Sequence, residues 1–196
     1  VAYDTLIIGN GPSVLDYKYG DLIDKFPNVV RFNNFTTKGY QHLIGSKTTI
    51  LARRACDDVI LHSPEHFDKV LTFVTFCLWS SGMQYVAKDV KSFYGDKCEI
   101  VGLTKCREIG EKIGLDQPYK EWASVGILTL SLLTELYGHD KILVHGFDGL
   151  KPDSSGSIKH YFPTPPKDAK FHNSAKEMAY LKKLNLKTLK EFVEDA

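Results

Sequence analysis

Short apolar runs that stop at glycine or asparagine recur along this chain, and stretches of helical spacing lie between them. "TLIIGNGPS" at 5–13, "NVVRFNN" at 28–34 and "KILVHGFDG" at 141–149 share that form. A run of β-formers closed by turn residues marks a buried strand. Strands are therefore expected at 4–9, 28–32, 48–52 and 141–147, while 66–76 reads equally as strand or helix. "SVGILTLSLLTELY", 124–137, is apolar nearly all round and predicts a buried helix, with Ser124 as its N-cap and Gly138 just past its end. Residues 14–26 read as a mixed turn and short helix. "SAKEMAYLKKL", 174–184, predicts an amphipathic helix with Ala175, Met178, Ala179 and Leu181 on its apolar face, and the tail from 186 a last strand or helical turn. Such alternation specifies an α/β domain, Rossmann-like, with a mostly parallel sheet flanked by helices. Ligands of such sheets bind beyond the carboxyl ends of the strands. That edge would gather Gly9–Ser13, Asn33-Asn34 and Gly146–Gly149. Residues 148–171, rich in Pro, Ser, Lys and Asp, predict a mobile lid loop beside it.

At 196 residues the chain has the size of one domain, taken as 1–196. A net charge of +1 gives no global pull toward nucleic acid or an anionic membrane. There is no apolar run of about 18 residues, so no intrinsic transmembrane segment is expected. No signal peptide is visible, because Val1 leads almost directly into a strand; a segment removed before it is compatible with the sequence. The expected location is cytoplasmic, with membrane association through a partner or a removed segment as the alternative. The four cysteines, Cys56, Cys77, Cys98 and Cys106, form no C-x-x-C pair, which speaks against zinc and for free thiols. No D-x-D acid cluster is present, and Asp57-Asp58 as strand neighbours would point to opposite faces. No metal site is expected.

The loop Gly9-Asn10-Gly11-Pro12-Ser13 invites comparison with the dinucleotide fingerprint G-x-G-x-x-G. The third glycine is Val14, and the strand at 28–32 ends on Asn33 and Asn34 rather than on an acid. A carboxylate would clamp ribose hydroxyls as a pure acceptor, whereas amides donate and accept, as suits a base, ribose or phosphate edge. A tight structural turn remains the bland alternative. Ser124 and Gly126 open the apolar helix, where free N–H groups and the positive dipole end can face an anion. His160 and His172 lie twelve positions apart in or beside the predicted lid, and Glu177 follows on the next helix. Two histidines facing a glycine-rich edge are candidates for acid–base or phosphate chemistry. A glycosyltransferase, a non-catalytic nucleotide- or glycan-binding module and a Rossmann-type oxidoreductase are the competing classes; the missing acid weakens the last.

In this order along the chain the motifs resemble the sialyltransferases of glycosyltransferase families 29 and 42. "IIGNGPSVLDYKYGDLIDKFPNVVRFNNF" with "IGSKTTILA" resembles the large motif of family 29, through its R-x-N and VGS(R/K)TT elements, with an opening closer to the bacterial form. "ASVGILTLSLLTELYGHDKILVHGFD" resembles the small motif, "HYF" the short third motif and "HNSAKE" the last one. From about Arg54 to Glu121 no motif of the family is recognisable in the sequence. The chain departs from the animal pattern in carrying Val125 for the threonine of S-T-G, and in lacking cysteines where that family bridges its large and small motifs.

The resemblance implies a sialyltransferase-type, variant GT-A fold. It implies an inverting, metal-independent transfer of sialic acid or a related sugar such as Kdo from a CMP-sugar donor to a glycan acceptor. No cofactor is implied, because the CMP-sugar is a substrate. Asn10, Gly11 and Asn33 resemble residues that contact the nucleotide and its phosphate, and Ser124 and Gly126 the pair that holds the cytidine. His160 and Tyr161 resemble the groups that stabilise the leaving phosphate, His172 resembles the general base, and Trp122 stands where an aromatic residue is frequent.

Overall fold

The structure, a computed structural model, describes residues 3–56, 58–75, 80–116, 121–149, 159–163 and 172–196. Among these, seven strands form one sheet. They are β1 (Thr5–Ile8), β2 (Asn28–Phe32), β3 (Ile50–Arg54), β4 (Lys69–Phe73), β5 (Cys98–Val101), β6 (Ile142–His145) and β7 (Lys187–Thr188). Every pairing is parallel, in the order β5-β4-β3-β2-β1-β6-β7. The sheet grows from β1 through β2 to β5 on one side and restarts with β6 on the other. The reversal point is therefore between β1 and β6, where Ile8 stands opposite His145.

The helices are α1 (Gly20–Ile23), α2 (Gln41–Ile44), α3 (Ser80–Tyr94), α4 (Leu103–Ile113), α5 (Val125–Tyr137), α6 (Ser174–Leu184) and α7 (Leu189–Glu194). Alternate strand residues take opposite faces. Ile7, Val30, Ala52 and Leu71 pack with α4 and α5 in one core cluster, joined by Tyr180, Leu181 and Leu184 of α6. Leu6, Ile8, Val29 and Leu143 pack on the other face with residues of α1, α2 and α7. Leu51 and Val70 pack there with Val90 and Tyr94 of α3. Strands apolar on both faces are what a parallel sheet covered twice demands. In α5, Ile127, Leu128, Leu130, Leu132 and Leu133 are all buried, each such side chain contributing about 1.5–3 kcal/mol.

The predicted strand at 28–32 and helix at 174–184 are observed as β2 and α6, and the strand expected at 48–52 begins at Ile50. The ambiguous 66–76 resolves into β4, preceded by a 3-10 turn at Pro64–His66. The face assigned to α6 needs correction: Ala175 and Ala179 are exposed, and the buried position is Glu177. An apolar count assigned that face, and a carboxylate capping another helix defeats it. The tail is both a short strand and a helix, β7 then α7, opened by a capping box between Thr188 and Glu191. Of the lid expected at 148–171, residues 150–158 and 164–171 lie outside the described residues. The described piece between them is anchored, with Tyr161 and Phe162 buried in the core of the β1 side. Cys98 and Cys106 are free thiols, and Cys77 lies outside the described residues.

Candidate active site

Two glycine turns meet at the sheet's reversal point. The Gly9 N–H donates to the His145 carbonyl at 2.7 Å, and the Gly11 N–H to the Gly146 carbonyl at 3.1 Å. A Cβ on Gly9 would stand 2.2 Å from the Gly146 oxygen, and Gly146 itself has φ +72°, so the approach requires both glycines. Asp148 then locks the loop: its carboxylate accepts from the Ser13 N–H at 2.9 Å and from the Ser13 hydroxyl at 2.5 Å. The amide at the loop's end thus already holds an anion, which argues against a pyrophosphate seated there as in a dinucleotide enzyme.

Beyond these turns opens a cleft of about 780 Å³. Asn10, Gly11, Asn33, Ser124, Gly126, His160 and His172 all line it. Asn10 donates from its amide to the Phe32 carbonyl at 3.3 Å, tying the β1 loop to the end of β2. Asn33 adopts a left-handed backbone, φ 49°, which asparagine tolerates, and its side-chain oxygen accepts from the Arg54 N–H at 2.9 Å. Asn34 turns away: its amide donates to the Asp58 carbonyl, and its oxygen accepts from the Ile60 N–H. Tyr161 does not line the cleft and is a correction. Its ring is buried in the core, and its hydroxyl donates to the Thr36 carbonyl at 2.6 Å. The Tyr161 N–H donates to the Asn10 carbonyl at 3.0 Å, which holds the neighbouring His160 beside the glycine loop.

Opposite stands the start of α5. Ser124 is its N-cap, the hydroxyl accepting from the Ile127 N–H at 3.3 Å. The same residue donates twice to Glu177, from its N–H at 2.7 Å and its hydroxyl at 2.8 Å. Glu177 is 3% exposed, and burial pushes its carboxyl up to about 7, against the pull of the two Ser124 bonds. His172 sits beside it, Nδ1 3.8 Å from the carboxylate and 3.1 Å from the Trp122 carbonyl. A carbonyl can only accept, so Nδ1 carries the proton and Nε2 keeps its lone pair. Burial holds the imidazole below its usual range, opposed by the Trp122 bond, and the nearby Arg54 lowers it further. Near neutral pH the ring is an uncharged base.

The His172 segment is itself pinned. Glu121 accepts from the Asp116 N–H at 2.9 Å, Lys176 Nζ at 2.8 Å and the Asn173 amide at 2.7 Å, and these bonds hold its carboxyl down at about 2. Arg31, of the R-x-N element, points away from the cleft. It is 1% exposed and donates to the Ile44 and Lys47 carbonyls and the Thr48 hydroxyl, with burial lowering it to about 10. Sequence reading did not single out Arg54 for the site, and nothing local pairs Asp148 with Ser13, 135 positions away. Among the described residues no group of three His, Cys, Asp or Glu side chains is placed to share a metal ion.

The model of glycosyltransferase family 29 (sialyltransferase) matches residues 5–92. The human CMP-N-acetylneuraminate-beta-1,4-galactoside alpha-2,3-sialyltransferase is 23% identical over 205 aligned positions, covering 91% of this chain and 54% of that protein. A 44-residue stretch is 46% identical to the beta-1,6-galactosyltransferase GALT29A of Arabidopsis thaliana, 22% of this chain and 11% of that one. A crystal structure of a mammalian sialyltransferase superposes with a TM-score of 0.61 at 18% identity, over 94% of this chain and 68% of that one. The chain is sialyltransferase-like. It spans about half the length of the curated sialyltransferases it matches. The family match ends within α3, so the β6 turn, the α5 cap and His172 rest on the geometry above.

Proposed function

We propose that the cleft transfers an acidic sugar, sialic acid or a relative such as Kdo, from a CMP-linked donor to a glycan hydroxyl by a single inverting displacement without a metal ion. The observation that carries this reading is His172: an uncharged, half-buried imidazole on the cleft wall, oriented through Nδ1 by the Trp122 carbonyl. Its Nε2 takes the proton of the acceptor hydroxyl as that oxygen bonds to the anomeric carbon. The bond from that carbon to the phosphate oxygen breaks, and CMP leaves with the electron pair. An ionised Glu177 at 3.8 Å favours the imidazolium so formed. Charge builds on the departing phosphate, and two features of the wall suit it. His160 stands beside the Asn10 loop, and α5 begins at Val125 and Gly126 with its positive end toward the cleft. A monophosphate leaving group carries less charge than a diphosphate, so protein donors alone can serve it.

The Arabidopsis relative is named a galactosyltransferase, which makes a neutral sugar on another nucleotide the second reading. Melting curves with CMP, UDP and GDP, each with EDTA, separate the two. A ligand at about 100 times its Kd stabilises by roughly 2.7 kcal/mol. A shift with CMP that survives EDTA is the expected result. A shift with UDP or GDP alone overturns the donor, and no shift with any nucleotide overturns the transferase reading.

A further inference from the structure

Three arginines stand at the ends of β2 and β3, and only one of them faces the cleft. Arg31 and Arg53 are each 1% exposed and spend their donors inside the fold: Arg31 on the Ile44 and Lys47 carbonyls and the Thr48 hydroxyl, Arg53 on the Val59 carbonyl at 2.9 Å. Arg54 ends β3 on the cleft wall, its backbone N–H held by the Asn33 side chain. Its guanidinium is close enough to His172 to act on the ring's charge. Asp58, exposed at the rim, takes one nitrogen, Nη2, with both oxygens at 3.1 and 3.2 Å. Among the described residues Nε and Nη1 donate no hydrogen bond. The carboxylates that line the cleft are committed elsewhere, Asp148 to Ser13 and Glu177 to Ser124.

A surface arginine paired four positions on is ordinarily a weak solvated ion pair. Here the fork lines the same cleft as the candidate base, the cleft in which the sugar must sit for His172 to reach the attacking hydroxyl. A planar guanidinium matches a carboxylate with two parallel N–H donors, which a flexible lysine such as Lys159 on the same cleft cannot reproduce. We propose that Arg54 recognises a sugar carboxylate in the cleft and so selects acidic over neutral sugars. This rests on the function proposed above, and it assigns the discrimination to one residue.

Titration calorimetry with CMP and with CMP-N-acetylneuraminate tests it, on the wild type, Arg54→Gln, Arg54→Lys and Asp58→Asn. Arg54→Gln should weaken CMP-N-acetylneuraminate about 10- to 100-fold and leave CMP unchanged. Arg54→Lys should fall between, and Asp58→Asn, which releases Nη2, should bind the acidic sugar nucleotide more tightly. An unchanged melting temperature in Arg54→Lys guards against a mere folding defect. If donor affinity holds while KM rises for an acceptor glycan carrying a carboxylate, and not for its neutral counterpart, the carboxylate read is the acceptor's. Equal donor affinity and equal KM in wild type and Arg54→Gln overturn the proposal while leaving the transferase reading intact. A wild type that binds neither nucleotide overturns both.

Discussion

Replacing Glu177 with glutamine should make the protein more stable, increasingly so as pH rises. Glu177 is 3% exposed and its carboxyl is raised from the ordinary 4.5 to about 7. Each pKa unit is worth about 1.4 kcal/mol, so ionising this group in the native state costs about 3 kcal/mol. The positive end of α5 opposes that cost by about 0.3–1 kcal/mol, leaving about 2–3. The folded value lies above the unfolded one, so the stabilisation is complete below pH 4.5 and is lost as pH rises through about 7. Glutamine keeps the shape. Its oxygen accepts from the Ser124 N–H, and its amide donates to the Ser124 hydroxyl oxygen, which also accepts from Ile127. Urea unfolding of both proteins from pH 5 to 8.5 provides the assay, because groups common to both cancel in the difference. The advantage of Glu177→Gln should grow by about 2–3 kcal/mol across that range. A difference independent of pH, or one that turns against the variant at high pH, would mean that the site prefers the carboxylate and that the burial argument is wrong.

Three further outcomes follow from the same geometry. His172→Ala should lower transfer by about 100- to 10,000-fold while CMP binding stays within a few-fold, and the acid limb of the wild-type rate should lie below pH 6.5 because the ring is held below that value; loss of CMP binding would make His172 a nucleotide contact instead. Asp148→Ala strips the Ser13 N–H and hydroxyl of their acceptor and should cost about 1–3 kcal/mol in urea unfolding, and a neutral result would show that Asp148 does not lock the loop. Gly9→Ala drives a methyl into the Gly146 carbonyl and should cost about 1–3 kcal/mol and weaken CMP binding, whereas Gly102→Ala, where φ is −69° and a Cβ meets no atom within 4 Å, should leave CMP binding unchanged.

Period and punctuation in the chain determined the elements. The apolar run before Gly9, the β-formers Val29, Val30 and Phe32 of 28–32, the largely apolar 124–137 with its Ser124 cap and the helix at 174–184 are local patterns, and a strand or helix is decided largely by neighbours a few positions away. Parallel strands alternating with helices also made it legible that Asn10, Asn33 and Gly146 would share one edge. What stood against that edge was decided by packing alone. Glu177 meets Ser124 across 53 positions and Asp148 meets Ser13 across 135, pairings that no local spacing encodes. Ala175 and Ala179 point outward because α6 presents its capping carboxylate to α5, and Tyr161 sinks into the core because its hydroxyl finds the Thr36 carbonyl. Arg53 and Arg54 are adjacent and alike in sequence, yet strand alternation sends one into a cage of carbonyls and the other to the cleft. A polar side chain's role depends on which partner the fold brings within about 3 Å, and only the assembled sheet supplies that partner.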